Sequence, residues 1–291
     1  MDRTLKTHTK SEFKSILSDT KVHDGLFLFL QNIFHLYPEE KYHLLIKNSA
    51  ASHPSDMAIY EDITSKLSKI RPFMRDITYS LPALKHQKEE MTRQTISLLD
   101  VDQKINGYLE IGSTGRYVSH FRKHLKISGP LILMNDIPPS NSPGDIFERG
   151  QLSKIGDYVP LNNYSTISEA DIPAESLDLV TCYIGLHHSP EERLGDFIKS
   201  IHRILRPGGI FILRDHDAPD EDMKVFASLI HTVFNLGLGV AWETNESEIR
   251  NFAGIEEWSK KLTASGFSDS GQRLLQKNDP SRNLLLKFKK N

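Results

Sequence analysis

The stretch GYLEIGSTGRYVSHFRKHL, residues 107–125, constrains the fold more than any other part of the chain. It reads as a short apolar strand, an acidic residue, a turn of small residues and then a helix. That order builds a nucleotide site at a strand's carboxyl end, because small turn residues let a ligand approach the backbone and the helix start supplies free N–H donors. Around it the sequence alternates strand and helix, which implies a parallel sheet. Strands are predicted at 108–111, 131–135, 177–184 and 210–213, and helices at 119–125, 197–205, 221–236 and 255–265. A final strand at 283–288 is expected to pair with one near 271–274, and the Pro-, Gly-, Asn- and Ser-rich residues 138–164 are expected to be mostly loop.

The first hundred residues have a different texture. Residues 11–36, 56–77 and 84–99 carry apolar side chains at helical spacing, as in Phe27, Leu30, Ile33 and Phe34, with Pro38, Pro54, Pro72 and Pro82 as breakers or starters. Residues 1–100 are therefore read as a helical N-terminal extension, serving as a substrate lid or as a shield for a sheet edge or dimer contact. With 291 residues, 38% of them apolar, the chain is long enough for one large domain plus such an extension.

Composition removes several classes. No run approaches the length of a membrane span, and the opening MDRTLKTHTK lacks the apolar core of a signal peptide, so a cytoplasmic protein is expected. The single cysteine, Cys182, leaves no intramolecular disulfide, and no Cys/His spacing suggests structural zinc. A formal charge of −2 gives no global attraction for nucleic acid. No G-x-G-x-x-G fingerprint supports a nicotinamide enzyme.

The candidate cofactor residues follow from the turn. Gly112 and Gly115 allow backbone approaches that a Cβ would block, and Ser113 and Thr114 add hydroxyls near the helix start. Asp136 ends the second strand about twenty residues on, where a carboxylate can accept hydrogen bonds from both hydroxyls of a ribose.

With LEIGSTG at 109–115, Asp136, SLDLVTCYIGLHHSP at 176–190 and IHRILRPGGIFILRDHD at 201–217, the sequence resembles the class I S-adenosylmethionine-dependent methyltransferases, of the type 11-like kind. The segment EEWSKKLTASGF and the closing strand are similar to that family's last helix and final hairpin. The resemblance implies a Rossmann-like, doubly wound, seven-stranded, mostly parallel sheet with a reversed C-terminal strand over 101–291, with S-adenosyl-L-methionine as cofactor. It implies cofactor contacts from Glu110, Gly112, Ser113, Thr114, Gly115, Asp136, Ile137, Glu169, Cys182 and Tyr183. One departure stands out: Ser113-Thr114 separate two glycines where the family's pattern alternates three.

A sulfonium methyl is already a strong electrophile, so a general base is needed only for hydroxyl or protonated-amine acceptors. Candidates at the ends of the fourth and fifth strands are His187, His188, Asp215, His216 and Asp217. A metal is not expected. An Asn/Asp-Pro-Pro-aromatic element, as nucleic-acid base methyltransferases carry, is missing after the fourth strand, so the expected partner is a small-molecule methyl acceptor, oxygen, nitrogen or carbon, and not nucleic acid. The alternative is a non-catalytic protein that keeps the nucleotide fold and uses its N-terminal helices as a binding or scaffold surface.

Overall fold

A computed structural model describes residues 11–72, 81–99 and 104–291. These residues separate into two compact units, one of residues 84–219, 249–277 and 282–291, the other of residues up to 83 with 220–248 and 278–281. The leading decapeptide and the continuation of the predicted 56–77 helix beyond Pro72 lie outside the described residues.

The larger unit is built on seven strands: β1 (Lys104–Ile111), β2 (Lys126–Asn135), β3 (Asp157–Pro160), β4 (Leu177–Cys182), β5 (Leu205–His216), β6 (Phe267–Leu275) and β7 (Asn283–Lys290). Their order in the sheet is β3-β2-β1-β4-β5-β7-β6, with β7 antiparallel to both neighbours and the other pairings parallel. This is the expected doubly wound sheet with a reversed C-terminal strand. Because β1, β4 and β5 are parallel neighbours, their carboxyl ends share one edge, with Ile111 opposite Cys182 and Cys182 opposite Leu213.

Alternation along each strand feeds two cores. Leu109, Ile111, Val180, Cys182, Phe211 and Leu213 face helices α8 (Glu191–Ile204) and α11 (Ile255–Ala264). Tyr108, Leu133, Leu179, Tyr183, Ile210 and Ile212 form the other cluster with Met91 and Leu98 of α5 (Leu81–Leu98) and Val118 and Phe121 of α6 (Val118–Phe121).

Two local expectations are corrected. Residues 138–164 are mostly loop, as expected, but also hold the short α7 (Pro143–Arg149) and β3. The helix is short, and its ordering side chain is the fully buried Arg149, which donates to the carbonyls of Ser140, Gln151, Leu152 and Ser153. The predicted 119–125 helix is a single turn, and the LRPGG segment belongs to β5. There the register jumps from Leu177↔Leu205 to Leu179↔Ile210, so the glycines make a bulge inside the strand, with Gly208 at φ +79°.

The smaller unit is helical: α1 (Glu12–Ser18), α2 (Thr20–Phe29), a π-helical turn (Leu30–Phe34), α3 (Glu39–Ser52), α4 (Asp56–Ile70), α9 (Glu221–Leu238) and α10 (Trp242–Ser247). Helix α3 was not anticipated from the apolar spacing. Helix α9 supplies the stripe Phe226, Leu229, Ile230, Val233 and Leu236 to this core, though it follows β5 in sequence. Hydroxyls of Tyr37 and Tyr42 donate to the Gly237 and Val233 carbonyls at 3.2 and 3.0 Å, and Phe34 packs onto Gly237. The helical unit includes residues inserted after β5, and most of α5 belongs to the sheet unit.

Candidate active site

The turn after β1 is ordered by a buried carboxylate. Glu110 is fully buried and accepts hydrogen bonds from the Ser113 hydroxyl, the Tyr108 hydroxyl at 3.0 Å and the Tyr117 N–H at 3.4 Å. Burial raises its pKa above the ordinary carboxylate range, and the Ser113 and Tyr108 bonds oppose that rise only in part. Ser113 Oγ in turn accepts from the Gly115 and Arg116 N–H groups at 3.1 and 3.0 Å. The departure from a three-glycine turn therefore has a structural role, because a serine hydroxyl closes the turn onto the acid.

Both glycines are obligatory. Gly112 has φ +85°, and a Cβ there would lie 2.4 Å from Ile184 Cγ1; Gly115 has φ +97°, and a Cβ would lie 2.8 Å from Ile155 Cδ1. Sequence reading had no signal for Ile184, which reaches Gly112 only because β4 neighbours β1.

The remaining expected cofactor residues divide. Asp136 and Ile137 stand just beyond β2 and are exposed, Ile137 by 70%, so both are open to a ligand at that edge. Cys182 and Tyr183 end β4 with side chains on opposite sheet faces. Cys182 is fully buried, and desolvation with the nearby Asp215 charge pushes its thiol up to about 12, so it is an inert core residue. Tyr183 directs its hydroxyl to Thr95 Oγ1 of α5 at 2.6 Å and its ring to Tyr117, 4.7 Å between centroids. Glu169 is exposed in a turn closed by Ser168 and Asp171, and no hydrogen bond joins it to the other site residues among the described residues.

The predicted bases converge more tightly. His187 Nδ1 lies 2.8 Å from Asp215 Oδ1, with His187 2% exposed and Asp215 fully buried. Asp215 also accepts from the Leu186 N–H at 2.7 Å through Oδ2 and from the His216 N–H at 2.8 Å. Burial alone would raise the Asp215 pKa, but the attraction of and hydrogen bond from His187, with His216 and Leu186, outweigh it and hold the pKa below its ordinary value. The His187 ring is 4.7 Å from Phe252 and 4.2 Å from His188. His188 is directed elsewhere, its Nδ1 lying 3.0 Å from the Ile249 carbonyl, and His216 packs edge-on to Phe252. Asp217 is occupied by an ion pair with Arg282 and by the Ile255 N–H at 3.0 Å. Phe252, Tyr164 and Asn251, whose N–H donates to the His187 carbonyl at 2.8 Å, complete this edge and were not singled out from the sequence.

Residues 157–213, which run from β3 through β5, match the family described as methyltransferase domain. The chain carries a methyltransferase-family match within a sheet of the class I methyltransferase strand order. S-adenosylmethionine is the methyl donor of such a domain, and the β1 turn fits it. Thr114 there is 8% exposed, and its buried hydroxyl has no protein partner among the described residues, so a ligand's polar end reaching the turn would satisfy it. Solved structures similar to this methyltransferase include an S-adenosylmethionine dependent methyltransferase from Mesorhizobium loti, at 14% identity and TM-score 0.48, covering 71% of this chain and 100% of that one. Another is the N-methyltransferase NodS from Bradyrhizobium japonicum in complex with S-adenosyl-L-homocysteine, at 18% identity and TM-score 0.44, covering 71% and 86%. A third is the Burkholderia thailandensis 1,6-didemethyltoxoflavin-N1-methyltransferase, at 13% identity and TM-score 0.44, covering 87% and 90%. Among curated protein sequences nothing matches the chain. No helix among the described residues is long and apolar enough to cross a membrane.

Proposed function

We propose that this methyltransferase acts on a small molecule in the cytoplasm and that its acceptor atom carries a proton removed by His187. The observation that carries this reading is the 2.8 Å contact between His187 Nδ1 and the buried Asp215 carboxylate at the carboxyl edge of the sheet. An ionised Asp215 fixes the proton on Nδ1, which leaves the lone pair on Nε2.

When bound, S-adenosylmethionine supplies an electrophilic methyl group. The chain's own residues do the rest. Asp136 and Ile137 beyond β2 would hold the cofactor's ribose and adenosine end, and Thr114 with the N–H groups of the β1 turn would hold its amino-acid end. His187 Nε2 would take the proton from an acceptor O–H or N–H as that acceptor is methylated, the S–C electron pair leaving with the sulfur. Asp215 holds the imidazole in register and stabilises the imidazolium. Phe252 packs beside the His187 ring, which favours water exclusion there.

The alternative, a non-catalytic binding protein, makes the opposite prediction for the cofactor. Calorimetry with S-adenosylmethionine tests both. Binding at micromolar concentration that Asp136→Ala weakens supports the enzyme, and no binding at millimolar cofactor would overturn it.

A further inference from the structure

Residues 162–164 form a turn that the fold pays for. Asn162, Asn163 and Tyr164 all have positive φ, +49°, +52° and +56°. Asparagine tolerates that conformation, but a bulky aromatic does not adopt it without compensation. The turn is held on its outer side by Arg193, whose Nη1 donates to the Asn162 and Asn163 carbonyls at 3.2 and 3.1 Å and to Ser165 Oγ at 3.3 Å. On its inner side Tyr164 is 4% exposed, its ring 5.3 Å from Phe197 and edge-on to it. The hydroxyl donates to the Gly185 carbonyl at 3.1 Å.

That carbonyl shares a peptide plane with the Leu186 N–H, which donates to Asp215 Oδ2 at 2.7 Å. The same carboxylate holds His187 Nδ1 through Oδ1. One peptide unit is thus pinned at both ends, by a phenol at its oxygen and by a carboxylate at its nitrogen. A hydrogen bond to a peptide oxygen polarises the unit and strengthens its N–H as a donor. The other donor to the Gly185 carbonyl among the described residues is the Cys182 thiol at 3.7 Å, a weak one.

We propose that Tyr164 is a positioning residue: through the Gly185–Leu186 peptide its hydroxyl fixes the Asp215 carboxylate and, with it, the orientation of His187. The strained turn at 162–164 is the means of delivering that hydroxyl. The proposal rests on the reading of His187 as the base, and its test separates the two.

Tyr164→Phe keeps the ring against Phe197 and removes only the donor. The expected result is a kcat lowered by about 10-fold, with the cofactor Kd and acceptor KM near wild type. A less satisfied Asp215 also binds the imidazolium more tightly, so the acid limb of the pH–kcat profile moves to higher pH. In the protein without acceptor, the low-field His187 Nδ1–H resonance, assigned by its loss in His187→Gln, broadens through faster exchange with water. Placing 3-fluorotyrosine at 164, a stronger donor of nearly the same volume, moves the limb and the resonance the other way and covers the case in which Tyr164→Phe does not fold. An unchanged pH profile and resonance in a folded variant overturns the proposal. If His187→Gln retains full turnover, the base reading falls, while the resonance still reports whether Tyr164 governs the Asp215–His187 pair.

Discussion

The imidazole of His187 occupies the space that a side chain at Gly185 would need. A Cβ on Gly185 would lie 2.4 Å from His187 Nδ1 and 3.0 Å from Asp215 Oδ2, at a backbone φ of +86°. Gly185→Ala is therefore expected to separate His187 from Asp215 and lower kcat by about 100-fold, the scale of a lost general base. Measuring S-adenosylmethionine affinity beside turnover checks this, because the β1 turn lies outside the change and its affinity should hold.

Direct removal of the pair gives the matching prediction. His187→Ala and Asp215→Asn should each lower kcat by roughly 100-fold or more with little change in cofactor Kd, and the double variant should be no worse than the worse single, since the two act as a unit. Additive losses in steady-state kinetics would mean that they act separately.

The Asp136 side chain is exposed, so its loss costs the fold little. Asp136→Ala should weaken S-adenosylmethionine binding by about 10-fold or more, the scale of a lost charge-assisted hydrogen bond, with Tm within error of wild type. Calorimetry and a thermal melt together decide it, and unchanged affinity removes Asp136 from the site.

The contact between Gly112 and Ile184 is a steric lock with a specific rescue. Gly112→Ala drives a methyl to within 2.4 Å of Ile184 Cγ1 and should disrupt cofactor binding. Ile184→Ala in the same chain makes room and should restore part of the affinity, the rest being the cost of alanine at positive φ. No recovery in the double variant would mean that backbone strain alone governs the turn.

The helical unit carries a pH-dependent weakness at His43. Burial first, then the nearby His23 and Lys47, lower its pKa to about 4 from 6.5. A base with a depressed folded pKa contributes fully above the unfolded value, and its contribution is lost as pH falls from about 6.5 towards 4, where the unfolded chain binds a proton that the folded one refuses. The Tm should drop across that window, and His43→Gln should flatten the drop, as scanning calorimetry at pH 7 and pH 4.5 would show.

The sheet was legible because its signals are local. Strand, small-residue turn and helix follow each other within 107–125, and the closing hairpin announces itself by glycine and alternation. Helix α3 was missed because its buried face, Tyr42, Ile46, Ser49 and Ala50, includes a serine and an alanine and so shows weak apolar contrast. Within the loop-rich segment 138–164, α7 was not foreseen because the order around it comes from Arg149 binding four carbonyls, which no periodicity reveals.

What the sequence determined by itself was the parallel sheet with its reversed last strand and the set of titratable residues at its carboxyl edge, since strand period and turn chemistry are properties of neighbours along the chain. Tertiary structure alone decided how they are used. Asp215 pairs with His187 and Asp217 with Arg282, although both acids stand within the same RDHD run. Ile184 closes on Gly112, and Tyr164 reaches Gly185. Each of these contacts joins residues from different elements, and only the strand order and the packing of loops at the sheet's carboxyl edge bring them within a hydrogen bond or a van der Waals radius of each other.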